Sequence, residues 1–234
     1  IRGPLASLKG ICNVAMMDVK DKMALDYFDK LDASAARLNA ILSRLLIINQ
    51  INHSILKAEP IDFNAQIEEV LELERKKGLP KKMDISSHVD PGLRCISDKE
   101  LTGIILENLI DNAIKFHNYS DRVNPFVRIE ITSKGDQVLL SVVDNGIGVD
   151  EKNKNEIFKL FVRATDRSDT GGIGLYLSKL ATLKLGGDIT VSKSMEGYTV
   201  FKVLLPQDLS PVIEKRQADE MRREKRKQKL LKAT

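Results

Sequence analysis

The feature that most constrains the fold is a short segment, residues 106–116, in which apolar residues recur at helical spacing. The apolar stripe consists of Leu106, Leu109, Ile110, Ala113 and Ile114, which is the spacing of an amphipathic helix with one buried face. Asn108, Asn112 and Lys115 fall on the opposite face, about one turn apart. Each asparagine costs a helix roughly half a kcal/mol relative to alanine, so two of them beside a lysine indicate a polar ligand. Amide oxygens can ligate Mg²⁺, and amide N–H and ammonium groups can hold phosphate oxygens. A solvated polar face is the alternative that this segment alone leaves open.

A carboxylate follows the next long apolar segment. Residues 139–143 are mostly apolar, and Asp144 then opens the sequence Asp-Asn-Gly-Ile-Gly. A carboxylate at the edge of a sheet can accept a hydrogen bond from an exocyclic amine such as that of adenine. Gly146 and Gly148 let the backbone approach a flat ring closely. The same five residues are also an ordinary turn sequence, so the pattern alone leaves both interpretations open.

A second glycine-rich segment, residues 171–175, precedes a predicted helix that runs from about Ile173 to Leu185. Free N–H groups at a helix N-terminus bind phosphate readily. The spacing is not Gly-x-Gly-x-x-Gly, and no strand leads directly into the segment, which excludes a Rossmann dinucleotide site.

Taken in order, residues 107–117, 144–148, 157–163 and 171–175 resemble the N, first glycine, F and second glycine boxes of sensor histidine kinases, within the GHKL ATPase superfamily. The resemblance extends over residues 1–206. It implies ATP and Mg²⁺ as cofactors. It also implies a lid over the nucleotide, which Phe158 and Phe161 would anchor to the core or to the partner helices. The family pattern has glycine where Thr170 stands.

The resemblance also assigns roles to single residues. Asn112 is expected to be the direct Mg²⁺ ligand, and Asp144 to recognise adenine with Thr199 nearby through water. The residues expected at the nucleotide are Asn108, Asn112, Lys115, Phe116, Asp144, Gly146, Gly148, Gly172, Ile173, Gly174, Leu175 and Thr199, and those expected to act in catalysis are Asn108, Lys115 and Arg163. Many ATP-hydrolysing relatives carry a glutamate where Asn108 stands. Since an amide cannot serve as a general base, Asn108 favours phosphoryl transfer over hydrolysis, and the neighbouring Glu107 would point elsewhere on the helix.

Two helices are predicted at the start of the chain. Their apolar residues are spaced alternately three and four positions apart, as in the apolar seam of a coiled coil, and this spacing is interrupted near residues 20–24. The seam consists of Leu5, Leu8, Cys12, Ala15 and Val19 in the first helix and Phe28, Leu31, Ala35, Leu38, Leu42 and Leu45 in the second. Such an antiparallel hairpin cannot bury its apolar faces alone, so we expect a homodimer in which two hairpins form a four-helix bundle. Packing of the hairpin on its own catalytic domain is the alternative.

Residues 1–5 resemble the end of the family's phosphoacceptor motif, His-(Asp/Glu)-x-Arg-x-Pro-Leu, which places the expected acceptor histidine two positions before Ile1. His53, His88 and His117 are expected to be structural. The resemblance therefore implies transfer of the ATP γ-phosphoryl group to that histidine, and then to an aspartate in the receiver domain of a response regulator. Two alternatives are a GHKL ATPase that uses nucleotide as a conformational switch and an ATP-binding scaffold without kinase activity.

Composition narrows the possible partners and location. Residues 207–234 hold nine Lys/Arg and five Asp/Glu, so the net charge of +4 belongs to this tail and the remainder is balanced. A balanced body argues against a nucleic-acid partner. The composition of the tail is compatible with a basic helix or with a solvated extension, and we expect the solvated extension. Cys12 and Cys95 fit reduced cytosolic thiols, and no apolar segment is long enough to cross a bilayer. The chain opens without Met, so we expect a cytoplasmic piece of a longer protein, compatible with a membrane-anchored sensor domain upstream.

The remaining segments predict an α/β domain. Strands are expected at 61–63, 83–89, 93–97, 127–132, 137–143, 189–192 and 199–205, and helices at 65–77, capped by Asn64, and after Asp98, which caps the helix that carries the asparagines. The expected fold class is thus α + α/β. A helical hairpin in residues 1–58 precedes a two-layer α/β sandwich with a mixed sheet, of the GHKL or Bergerat type, in residues 59–206, and a basic tail covers residues 207–234.

Overall fold

A computed structural model describes residues 2–120, 123–162 and 172–231. The chain begins with the predicted antiparallel hairpin, helices α1 (Arg2–Asp18) and α2 (Lys22–His53). Asp21 caps α2, because its carboxylate accepts a hydrogen bond from the Ala24 N–H at 2.8 Å, as N-cap residues do. The hairpin leaves much of its apolar surface uncovered, with Ile11 68% and Val14 60% exposed.

The connection to the second unit differs from the sequence prediction. A two-residue strand, β1 (Glu59–Pro60), precedes helix α3 (Phe63–Lys77), so the strand expected at 61–63 is wrong. Asn64 is also not the cap, since the Asp62 carboxylate accepts from the Ala65 N–H at 3.0 Å. Both residues are good N-caps. The earlier start places Phe63, 3% exposed, in the core.

The second unit is built on a five-stranded mixed sheet. In chain order the remaining strands are β2 (Asp84–Val89), β3 (Ile96–Ser97), β4 (Phe126–Lys134), β5 (Gln137–Asp144), β6 (Asp188–Lys193) and β7 (Thr199–Pro206). The sheet order is β2-β4-β5-β7-β6, while β3 pairs with β1 in a separate two-stranded sheet and also forms a single bridge from Ile96 to Asp208. The β2–β4 pair is parallel and the other pairs in this sheet are antiparallel. The predicted hairpin between β4 and β5 is confirmed, with Ser133 opposite Val138 and Lys134 opposite Gln137 next to the turn.

Three helices cover the sheet and enclose the core. These are α3, α4 (Lys99–Lys115) and α5 (Gly174–Lys184). The α4 stripe is fully enclosed, since Leu106, Leu109 and Ile110 are all 0% exposed. Asp98 caps α4 as predicted, accepting from the Leu101 N–H at 3.1 Å. The fold therefore combines the predicted hairpin with the predicted two-layer α/β unit.

The basic tail forms a helix instead of the solvated extension that we expected. Helix α6 spans Ser210–Leu231. Its first turns are anchored because Val212 and Ile213 pack against the core, and because Arg216 Nη2 donates to the Lys184 carbonyl at 2.6 Å. Within residues 2–120, 123–162 and 172–231, no helix combines the length and the apolar character that a membrane span requires.

The hairpin rests on the α/β unit through helices α2 and α5. Lys184, the last residue of α5, directs its ammonium group at the C-terminal turn of α2. It donates to the Ser54 carbonyl at 2.6 Å and the Asn52 carbonyl at 3.2 Å, and also to the Ile51 carbonyl. Carbonyls in the last turn of a helix have no partner within it. The Ile51 carbonyl also accepts from the Ser54 hydroxyl at 3.3 Å, and Lys184 bonds all three carbonyls and thereby joins the two units.

Candidate nucleotide-binding site

Asp144 lies at the end of β5, in a buried position beside β7. It is 5% exposed, and the sheet register places it opposite Thr199. The carboxylate accepts from the Gly146 N–H at 2.9 Å and from the Thr199 hydroxyl. Burial raises the pKa of Asp144 to about 6 against these two hydrogen bonds, which lower it. A buried carboxylate with a raised pKa, held at the lip of a sheet, is typical of a binding site.

The turn after Asp144 is pressed against the end of α4. A Cβ atom on Gly146 would lie 2.3 Å from the Phe116 carbonyl oxygen, which excludes any larger residue without a backbone shift. The same oxygen accepts from the Ile147 N–H at 3.0 Å. Gly148 has φ of +78°, a conformation that favours glycine. Helix α4 and the first glycine-rich segment, residues 144–148, are thereby joined at Phe116.

The side chain of Asn145 holds the other side of this turn, a role that the sequence analysis missed. Its Oδ1 accepts from the Phe126 N–H at 2.8 Å, and its Nδ2 donates to the Asn124 carbonyl at 2.9 Å. An asparagine in a glycine-rich turn is the available sequence signal, because its amide commonly bonds nearby backbone.

Asn108 faces the start of α5 instead of solvent. It is only 8% exposed, which rules out the solvated-face alternative for this residue. Its Nδ2 donates to the Ile104 carbonyl at 2.7 Å, so its Oδ1 points to the gap between the helices. That oxygen would lie 2.8 Å from a Cβ on Gly174. Glu107, by contrast, is exposed, as its position on the helix predicts.

Asn112 and Lys115 continue this face of α4 toward the Phe116 turn. Both side chains are half-buried. The Nδ2 of Asn112 is buried without a hydrogen-bond partner among the described residues. A buried amide donor without a partner costs free energy, and a ligand oxygen at this point would supply the missing acceptor.

The second glycine segment leads into an uncapped helix. Gly172 has φ of +70°, and a Cβ there would lie 2.2 Å from the Val162 carbonyl oxygen. The Ile173 side chain is 0% exposed and belongs to the core, so only its backbone can reach a ligand. Ile173 makes no side-chain cap hydrogen bond to α5, and the first N–H groups of a helix have no partner within it. Leu175 is half-buried in the first turn.

The expected lid is described only in part. Phe158 is 6% exposed and packs edge-on against Phe201, with ring centroids 6.4 Å apart, so it anchors the segment as predicted. Phe161 is 53% exposed, so it does not anchor the segment in the core, and its alternative contact with the partner helices stays a prediction. Arg163 and Thr170 lie outside the described residues.

Arg44 also reaches this site, and the sequence analysis missed it. It projects from α2, and its Nη1 donates to Asn108 Oδ1 at 3.3 Å. The two residues are 64 positions apart. A single arginine on a helix face carries no sequence signal for such a contact.

The three histidines lie elsewhere. His53 ends α2 and is exposed, with Nδ1 2.9 Å from the Asn49 carbonyl oxygen. His117 Nδ1 lies 2.8 Å from the Ile114 carbonyl oxygen, and His88 is exposed beside Asp90. None of the three contacts Asn108 or Gly174 through a described hydrogen bond.

The donor set suits a magnesium nucleotide. Among the described residues, no group of three or more His, Cys, Asp or Glu side chains is placed to hold a metal ion. A cation near Asn108 would therefore depend on amide oxygens and on oxygens of its ligand. Mg²⁺ binds in this way, keeping several waters and sharing substrate phosphates. The buried Asp144 carboxylate likewise fits the adenine group of ATP. The Asn112 amide nitrogen, without a described partner, and the start of α5, where Ile173 makes no side-chain cap, fit the phosphate groups.

Comparisons with known proteins find an ATPase family and histidine kinases among the similar sequences. Residues 97–209 match the family described as histidine kinase-, DNA gyrase B-, and HSP90-like ATPase. The chain is 28% identical to the signal transduction histidine-protein kinase AtoS of Escherichia coli K12, over 88% of this chain and 33% of AtoS. It is 29% identical to the autoinducer 2 sensor kinase/phosphatase LuxQ of Vibrio vulnificus, over 88% of this chain and 25% of LuxQ. The chain thus spans a third or less of the length of these relatives.

Solved structures share the fold. Full-length ShkA in complex with AMPPNP superposes with a TM-score of 0.67 at 23% identity, over 88% of this chain and 44% of ShkA. Histidine kinase ThkA in complex with the response regulator protein TrrA gives 0.63 at 23% identity, over 89% of this chain and 59% of that chain. The ThkA catalytic domain gives 0.55 at 25% identity, over 64% of this chain and 96% of that domain.

Proposed function

We propose that this chain is the ATP-binding and dimerisation core of a sensor histidine kinase. The match of residues 97–209 to the histidine kinase-, DNA gyrase B-, and HSP90-like ATPase family supports this proposal. The observation that supports this proposal most directly is the position of Asn108. Its amide oxygen faces the N-terminus of α5, while the adjacent Glu107 is exposed. The site thus holds an amide where a hydrolase needs a base, which favours transfer of phosphate to another group over its release to water.

In this proposal Asp144 recognises the base of ATP. Its ionised carboxylate accepts a hydrogen bond from the adenine amine, and Thr199 and the Gly146 N–H orient it. Gly146 and Gly148 keep the space beside Phe116 open for the flat ring.

The phosphates would lie along α4, between Asn112 and the start of α5. The Nδ2 of Asn112 donates to a phosphate oxygen, and the first N–H groups of α5 do the same. Asn112 and Asn108 supply amide oxygens toward Mg²⁺, and Lys115 adds positive charge. Mg²⁺, when bound, neutralises phosphate charge that would otherwise resist nucleophilic attack.

The reaction is in-line phosphoryl transfer. A histidine ring nitrogen attacks the γ-phosphorus, the N–P bond forms, the bond to the β–γ bridging oxygen breaks, and ADP leaves. The acceptor is the histidine expected two positions before Ile1, and Arg163 is proposed to assist at the phosphates. The phosphoryl group then passes to a receiver-domain aspartate, a partner suggested by the ThkA complex with a response regulator. The exposed apolar residues of the hairpin, such as Ile11 and Val14, would pair with a second copy as a four-helix bundle, in the cytoplasm.

A nucleotide-switch ATPase is the second candidate, since the matching family includes gyrase- and HSP90-like members. Steady-state phosphate release at saturating ATP separates the two. The kinase proposal expects no sustained turnover by this chain. Sustained, Mg²⁺-dependent phosphate release that Asn108→Ala abolishes would favour the switch ATPase instead.

A further inference from the structure

Arg44 places a positive charge at the junction of α2, α4 and α5. Its Nη1 lies 3.3 Å from Asn108 Oδ1 and would lie 3.2 Å from a Cβ on Gly174. The guanidinium group therefore sits at the first residue of α5, beside the side chain that closes the phosphate end of the proposed site.

Among the described residues, no carboxylate forms an ion pair with Arg44. Its hydrogen-bond partner in this part of the chain is the neutral Asn108 amide. The residue is half-buried, and the α5 N-terminus that it faces carries a partial positive charge. An anion between these two positive groups, in a partly desolvated gap, would be stabilised by both.

The docking of α2 on α5 keeps Arg44 in this place. Arg44 lies beside Gly174 at the start of α5, and Ser54 lies beside Lys184 at its end. Both pairs of positions are ten residues apart, so the two helices run side by side in the same direction for roughly 15 Å. The Lys184 hydrogen bonds fix one end of this contact, and the other end delivers Arg44 to the site.

The geometry of the hairpin places the expected acceptor histidine at nearly the same height along the helices as Arg44. The turn between α1 and α2 is centred near residue 20. In an antiparallel hairpin, residues equally far from the turn face each other, so a histidine two positions before Ile1 would lie level with about residue 41 of α2. Arg44 is about one helical turn beyond that point.

We propose that Arg44 is a phosphate-positioning residue, supplied by the hairpin, that binds the terminal phosphate of ATP at the start of α5 and directs it toward the acceptor helix. This inference rests on the proposed ATP-binding function. When the guanidinium group turns to the phosphate, it releases Asn108 Oδ1 to face the cation. ADP lacks the terminal phosphate, so Arg44 should distinguish the two nucleotides.

Calorimetric titration of the whole chain with Mg·ATP and with Mg·ADP tests this inference. Arg44→Ala should weaken ATP binding about tenfold, the effect of losing one charge-assisted hydrogen bond, and should change ADP binding less than twofold. Arg44→Lys, which keeps the charge but loses the planar fork, should fall between. Arg37→Ala is the matched control, since Arg37 is exposed on α2 two turns earlier and should bind both nucleotides like the parent chain.

The ratio of the two affinities decides the outcome. Equal weakening of ATP and ADP, or no weakening of either, would overturn the role of Arg44 while leaving the proposed function intact. If the parent chain bound neither nucleotide, the proposed function itself would be overturned, and this inference with it. Unchanged ADP affinity in Arg44→Ala also shows that the variant is folded.

Discussion

The buried carboxylate of Asp144 gives the site a pH dependence that few other residues here could produce. Its pKa is raised to about 6 because burial disfavours the charged form, and adenine recognition requires the ionised form as acceptor. At pH 5 a group with this pKa is about 90% protonated. Nucleotide affinity should therefore fall about tenfold between pH 8 and pH 5.

Asp144→Asn separates this effect from titration of the nucleotide phosphates, which both proteins experience equally. The variant should bind weakly at both pH values by calorimetry. The ratio of its affinities at pH 8 and pH 5 should be near the ratio that titration of the nucleotide phosphates alone produces.

The same substitution should raise the free energy of unfolding at pH 8 by up to about 3 kcal/mol, because it removes a buried charge. That gain should shrink as the pH falls from about 6 to about 4, since Asp144 protonates in the folded state first. If nucleotide affinity showed the same pH dependence in the parent chain and in Asp144→Asn, the role assigned to Asp144 would be contradicted.

The role of Asn112 in binding Mg²⁺ and ATP can be tested by substitution. Asn112→Ala should abolish Mg²⁺-dependent ATP binding without unfolding the domain, because the change removes an amide that lacks a partner and contributes no described hydrogen bond to the fold. Calorimetry in Mg²⁺, with circular dichroism as the check on folding, measures both parts. Asn64→Ala, at an exposed helical asparagine, is the control and should bind normally. Unchanged ATP affinity in Asn112→Ala would refute its role.

At the scale of elements, the sequence predicted most helices and strands because their signals are local. The α4 stripe, the Asp98 cap and the turn between β4 and β5 are all readable within a few residues. The start of α3 was missed because Asp62 and Asn64 are both good caps, and burial of Phe63 decides between them. The tail helix was underestimated because Arg216 and Val212 are anchored by residues distant in sequence.

The contact between α2 and α5 depends on Lys184. Lys184→Met should leave carbonyls at the end of α2 without a protein partner and destabilise the chain by about 1–3 kcal/mol, the value of hydrogen bonds to a charged group. Hydrogen exchange should accelerate at residues 50–54 in particular. Lys76→Met is the control, because Lys76 is exposed in the last turn of α3. Equal protection of residues 50–54 in the two variants would show that Lys184 does not hold the helix.

At the scale of the molecule, the sequence predicted which residues line the candidate site better than it predicted how they are arranged. Asn108, Asp144 and Gly174 were each marked by an unusual local pattern. Arg44 was not, because its role arises from the docking of one helix on another, which no spacing within α2 records. The hairpin thereby adds one basic side chain to a candidate site whose other residues lie in the α/β unit.

The central claim is that the chain carries the ATP site of a histidine kinase whose acceptor histidine is expected two positions before Ile1. One incubation with γ-labelled ATP and Mg²⁺ tests it on two proteins, this chain and the same chain extended upstream through that histidine. This chain should bind ATP and remain unlabelled, since His53 and His117 bond backbone away from the site.

The extended chain should acquire acid-labile, base-stable label on its first helix, as a phosphoramidate requires. Replacement of the added histidine by glutamine should abolish that label. Label on this chain would show that the acceptor lies within it. An unlabelled extended chain that still binds ATP tightly would contradict the kinase account and leave an ATP-binding scaffold in its place.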